Sequence, residues 1–135
     1  MTGSNHQVFP FLMFEGVAEE AMTFYTSLFP RSEIVSITRY GADEPDREGT
    51  VMQAVFSIKG QMIMCIDSHI KHNFTFTPAF SLFVICDSAE EVDRAFEQLS
   101  QGGFTLMPLG EYPFSPRFTW VQDRYGVSWQ LSLQA

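Results

Sequence analysis

Few residues of this 135-residue chain stand in a pattern that could do chemistry, and most of those are neutral. His69 and His72 flank Lys71 and superficially offer paired imidazoles, but they fall in a stretch without period and read as solvated loop residues. Asp67 ends an apolar strand-like run. It is the weak candidate for a catalytic base, since burial lifts a carboxyl pKa toward the range useful for proton transfer. Cys65 and Cys86 each sit inside an apolar run and read as buried free thiols of a reducing compartment. Gln53 can donate and accept hydrogen bonds but cannot change charge. Near the end of the chain Ser128, Gln130 and Ser132 alternate with Trp129, Leu131 and Leu133, which puts a polar set on one face of a strand and an apolar set on the other. The polar set is a candidate ligand lining, and Trp120 a candidate wall beside it. Asp123 opens a turn ending at Gly126, where an aspartate caps backbone amides. The residues contain no Ser/His/Asp grouping and no Gly-x-Ser-x-Gly elbow. They also contain no Gly-rich strand-to-helix loop with a downstream acid, which methyl transfer from a nucleotide-type donor would need.

Composition narrows the partners. The chain carries 8 basic against 16 acidic residues, a formal net charge of -8. Clustered Lys and Arg are what a nucleic-acid backbone or an anionic membrane requires, so neither is an expected partner. With 45% hydrophobic residues and 14 Phe there is ample material for one core. No apolar run approaches the roughly 20 residues that span a bilayer. The polar start, with His6 in a frayed end, has no apolar signal core, so the expected location is the cytoplasm.

The elements that must position these residues come in two copies. Ala18-Glu19-Glu20 falls on Ala89-Glu90-Glu91, 71 residues on, and Leu28 falls on Leu99. Each copy reads as strand, helix, then three strands. In the first, residues 8–14 form the strand, Val17, Ala21, Phe24 and Leu28 form the buried helical stripe, and strands follow at residues 33–40, 50–58 and 61–67. In the second, the strand is residues 80–86. Ser88 and Glu91 then form a capping box over a stripe of Ala89, Val92, Phe96 and Leu99, and Gly102-Gly103 stops the helix. Strands follow at residues 104–109, 118–122 and 127–133, with residues 110–116 as a Pro-rich loop. The expected architecture is α+β: one domain, 1–135, of two βαβββ modules at residues 7–67 and 79–133 joined by a linker at 68–78. Together they form a curved, barrel-like, mostly antiparallel sheet around a cleft.

Three blocks carry a family resemblance. They are Ala18-Glu-Glu-Ala21 with Phe24-Tyr25, Gly60-Gln61 with Ile66-Asp67, and above all the run from Trp120 to Leu131. The chain resembles the vicinal oxygen chelate superfamily of glyoxalase I, extradiol dioxygenases and the bleomycin and fosfomycin resistance proteins. It resembles most its PhnB-like branch, often labelled demethylubiquinone methyltransferase. The resemblance implies a homodimer and a metal site made by His or Glu on the first and fourth strands of each module. Carried over by the 71-residue repeat and the turn glycines, those positions fall on Pro10, Met64, Ser81 and Gln130. None is a His, Asp, Glu or Cys, so no metal and no other cofactor is expected. PhnB-like sequences often read Val-Met-His-Ala where this chain has Gln53, which removes a base or ligand from that position.

The first reading is therefore a metal-independent, homodimeric binder of an unidentified small molecule, lined by Pro10, Gln53, Met64, Ser81, Trp120 and Gln130. The second is an enzyme of unknown reaction using Asp67. The third is a structural module whose cleft is filled by its own side chains.

Overall fold

The computed structural model describes residues 7–134; the frayed start expected at residues 1–6, with His6, lies outside them. The chain divides into two compact units, residues 1–71 and 72–135. The first contains β1 (Phe11–Phe14), α1 (Ala18–Leu28), β2 (Glu33–Arg39), β3 (Val51–Ile58) and β4 (Gln61–Asp67). The second contains β5 (Ser81–Cys86), α2 (Ala89–Leu99), β6 (Phe104–Tyr112), β7 (Ser115–Gln122) and β8 (Ser128–Leu133). Strand order is β1-β4-β3-β2 in one sheet and β5-β8-β7-β6 in the other. In each unit the first strand runs parallel to the last, and the other pairs are antiparallel. Each unit is the expected βαβββ, and the α+β class stands as expected; the two four-stranded sheets are mixed and are not closed into a barrel.

Local chemistry explains the elements. Lys59 and Gly60 both take positive φ, 50° and 91°, which is the two-residue turn that matches strand twist between β3 and β4. Gly102, with φ +77°, ends α2 in the left-handed region as expected. Gly103 serves a different need: a Cβ there would stand 1.9 Å from the carbonyl oxygen of Gln122. The Pro-rich stretch at 110–116 is a hairpin rather than a loop. β6 and β7 close around Pro113-Phe114, and their ladder shifts register between Met107 and Gly110 and again between Gly110 and Tyr112. Pro108 and Pro116 fall in those interruptions, where a missing N–H breaks no pairing.

The cores differ from the expected stripes by a small rotation. α1 buries Ala18, Ala21, Met22, Tyr25 and Leu28 rather than Val17 and Phe24. The Tyr25 ring lies 6.2 Å from Phe56 of β3. α2 buries Val92, Ala95 and Leu99, with Ala89 exposed and Phe96 half-buried. Opposite these stripes stand Ile63 and Cys65 of β4, and Trp129 and Leu131 of β8, all buried.

Candidate functional site

Each helix covers one face of its sheet, so the residues available to a ligand are those on the other face. In the second unit the register defines that open face as three rows crossing β5, β8, β7 and β6 in turn. The rows are Ser81, Ser128, Gln122, Phe104; then Phe83, Gln130, Trp120, Met107; then Ile85, Ser132, Phe118, Gly110. No side chain in the three rows is charged. Phe83, Ile85 and Phe104 are 56%, 54% and 55% exposed, whereas Ser128, Ser132 and Phe118 of the same rows are buried, so the chain covers the face only in part.

Three of the expected lining residues meet here. The Trp120 indole Nε1–H donates to Ser128 Oγ at 2.8 Å. Ser128 Oγ lies 2.7 Å from Ser81 Oγ, and the Gln130 amide Nε2 donates to Ser81 Oγ at 3.3 Å. Ser81 Oγ also reaches the Pro78 carbonyl at 3.5 Å. Ser128, the hub of the group, was legible only as a member of the polar strand face. Its partnership with Ser81 comes from the parallel pairing of β5 and β8, which no local pattern announces. In the row beside it Ser132 Oγ donates to Ser115 Oγ at 2.8 Å, and Phe118 is buried under Phe114 and Tyr112 at 4.8 and 5.5 Å.

The first unit arranges its face differently. Its central row is Phe11, Met64, Val55 and Ser36 across β1, β4, β3 and β2. Met64 lies on the open face as expected. Gln53, paired with Thr38 and exposed, lies on the same face as Val55 by alternation. Pro10 does not join them. Its carbonyl accepts the Met64 amide at 2.9 Å, and alternation back from buried Leu12 turns its ring to the helix side. The cause is a one-residue difference between the copies. Phe11 pairs with Met64 as Phe83 pairs with Gln130, a strand offset of 72, whereas the helices are offset by 71. The β1–α1 connection, Glu15-Gly16-Val17, is one residue longer than Asp87-Ser88. Carrying the helix offset into the strand therefore slips the register by one and swaps the faces.

Asp67 also stands on the helix side, 3% exposed. Its Oδ1 accepts the amides of Gly16 and Ala18, both at 2.9 Å, and its Oδ2 accepts the amide of Val51 at 2.9 Å. Val17, the residue before α1, makes no side-chain cap, so the strand carboxylate supplies one from 49 residues away. Gly16, at φ +89°, lets the chain turn inside that carboxylate's reach. The candidate base is thus corrected to a structural anchor that faces away from the open surface. Its neighbour Cys65 is buried, and desolvation, reinforced by the Asp67 carboxylate, pushes that thiol up to about 12. It stays protonated and inert at neutral pH. Asp123 is structural as expected: Oδ1 accepts the amides of Tyr125 and Val127 at 2.8 and 3.0 Å, and Oδ2 accepts the Trp129 indole N–H at 2.9 Å.

His69 and His72 hold loop positions. His69 Nε2 lies 3.0 Å from Thr50 Oγ1, and the His72 ring stacks on Phe74 at 4.7 Å. Among the described residues no group of three His, Cys, Asp or Glu side chains could hold a metal ion. The positions that the repeat pointed to do not fit one: Ser81 and Gln130 offer only neutral oxygens, Met64 a thioether, and Pro10 nothing. Among the described residues no helix is long and apolar enough to cross a membrane.

Residues 6–132 match the family described as 3-demethylubiquinone-9 3-methyltransferase. Among solved structures, a PhnB protein from Bacillus cereus, provisionally given the same methyltransferase label, is 60% identical. It aligns over 96% of this chain and 100% of its own, with a TM-score of 0.90. Protein PA1353 from Pseudomonas aeruginosa is 26% identical over 96% of this chain and 98% of its own, with a TM-score of 0.82. A variant of the fosfomycin resistance protein FosX from Listeria monocytogenes, solved with Mn(II) and a dihydroxypropylphosphonic acid, shares the fold. It has 15% identity and a TM-score of 0.64 over 97% of this chain and 94% of its own. No protein of curated function matches the chain.

Proposed function

The chain belongs to the PhnB-like, 3-demethylubiquinone-9 3-methyltransferase family of the vicinal oxygen chelate superfamily, and from that premise we propose that it binds a small molecule without a metal. The observation that carries the reading is the hydrogen-bonded group of buried Ser128 with half-buried Trp120, Ser81 and Gln130 on an uncharged, partly open sheet face. Side chains locked by each other present a fixed polar spot among Phe83, Trp120 and Met107, the mixture that small-molecule sites use. Gln53 and Met64, on the open face of the first unit, are the further lining candidates.

Neither methyl transfer nor metal-assisted chemistry is favoured by the side chains. The α1 amides at Gly16 and Ala18 are taken by Asp67, and at the start of α2 the Glu91 amide is taken by Ser88 and the Asp87 amide by Glu91, so both helix starts are used for capping. Asp67 is engaged on the helix side, and the three rows of the second unit's open face hold no ionisable side chain for an enzymatic reading. The protein is proposed to act in the cytoplasm as a homodimer, with the exposed apolar side chains Phe11, Phe83 and Phe104 as material for ligand or subunit contact.

Native mass spectrometry of the freshly purified protein tests this. The expected spectrum is a pair of subunits with a co-purified organic mass and no metal. Stoichiometric Mn, Fe, Ni or Zn would contradict the metal-free reading.

A further inference from the structure

Resting on the binding reading above, we infer that the site in the second unit selects uncharged, ring-bearing molecules that donate a hydrogen bond, and that it rejects anions. The selection follows from where the protons go. Ser128 Oγ accepts the Trp120 indole proton and shares one further proton with Ser81 Oγ, 2.7 Å away. Ser81 Oγ also lies 3.5 Å from the Pro78 carbonyl. The Gln130 amide turns Nε2 toward Ser81 Oγ, which accepts from it. Gln130 Oε1 is left as an acceptor that no hydrogen bond reaches among the described residues.

That oxygen stands in the central row between Phe83 on β5 and Trp120 on β7, one strand spacing from each. A ring lying on the two aromatic neighbours can carry an O–H or N–H to Oε1. A carboxylate or phosphonate in the same place would meet the lone pairs of Oε1 and no cation, since the three rows hold no Lys, Arg or His. It would lose its hydration without a counter-charge. A ring without a donor would leave Oε1 unpaired beneath it, which costs about one hydrogen bond.

Fluorine NMR titrations of the full chain with para-fluorophenol, para-fluoroanisole and para-fluorobenzoate test the inference. These share a ring and differ in donor and charge. The expected order is phenol first, anisole weaker by roughly tenfold, and benzoate without measurable binding. Gln130→Leu should bring phenol and anisole to equal affinity. Gln130→Glu, which turns the amide into a carboxylate without the N–H, should keep benzoate excluded. Equal binding of phenol and anisole by the unmodified protein overturns the inference while leaving the binding reading in place, as does preferred binding of benzoate. A phenol preference that survives Gln130→Leu moves the donor contact elsewhere and also overturns it. If none of the three probes binds, both the inference and the binding reading fall.

Discussion

Met64 and Gln130 occupy the same place in the two halves of the molecule, each in the last strand, opposite a phenylalanine of the first strand. One is a thioether beside Phe11 and Val55; the other is an amide beside Phe83 and Trp120, tied to two serines. The polar investment of the two sheets is reversed. In the first unit the last strand sends its one acidic side chain, Asp67, to the helix side and leaves its open face to Met and Ile. In the second, Leu133 holds the position of Asp67 opposite Cys86, the helix caps itself through Ser88, and the polar side chains turn to the open face.

Breaking the remote cap gives the largest effect. Asp67→Ala strands three amides in a buried site, and about 4 kcal/mol of stability should disappear from urea unfolding curves. An unchanged curve would mean that α1 holds its start unaided.

The thiol beside that carboxylate sharpens the contrast next. With its pKa raised from an ordinary 9.0 to about 12, native Cys65 should alkylate about a thousandfold more slowly than an exposed cysteine at pH 8, read by peptide mapping. The sign of the linkage is fixed. Between about 9 and 12 the unfolded thiol loses its proton and the folded one keeps it, so its contribution to stability is full below 9 and declines as pH rises through that window. Rapid native labelling of Cys65 would contradict the burial.

Ser88→Ala removes a local cap only, and about 1 kcal/mol is the expected cost, well below that of Asp67→Ala. A larger loss for Ser88 than for Asp67 would invert the comparison.

The smallest effect concerns the exposed pair of Glu19 with Arg39, 2.6 Å apart. The Arg39 guanidinium holds the Glu19 carboxyl below its ordinary value, so the pair's stabilisation exists at neutral pH and is lost as acid protonates the carboxylate. Arg39→Ala should leave the overall stability nearly unchanged at neutral pH and should flatten that part of the acid limb.

The fold was readable because the duplication is written in local signals. The Ala-Glu-Glu starts, the Ser88 capping box, the Lys59-Gly60 turn and the alternation around Trp129 each depend on near neighbours. What was not readable depends on distant ones. Pro10 was placed on the wrong face because strand register is set by pairing with β4, and one extra residue between β1 and α1 is invisible to a repeat measured on the helices. Asp67 looked like a free acid because its three partners lie 16 to 51 residues away. The α1 stripe was rotated because Phe24 and Tyr25 are adjacent aromatics and only one can face the sheet, where Tyr25 packs beside Phe56. Ser81, Trp120 and Gln130 were each legible as candidates, but the hydrogen bonds that join them through Ser128 needed coordinates.

The most direct test of a recognition face in the second unit uses its two tryptophans, which lie on opposite sides of one sheet. Indole N–H resonances followed by nitrogen-resolved NMR during a para-fluorophenol titration report both, with Trp120→Phe supplying the assignment. The account predicts that the Trp120 signal moves with occupancy while that of Trp129, held by Asp123 on the helix side, stays in place. Movement of Trp129 alone, or of neither indole while the probe binds, would contradict it.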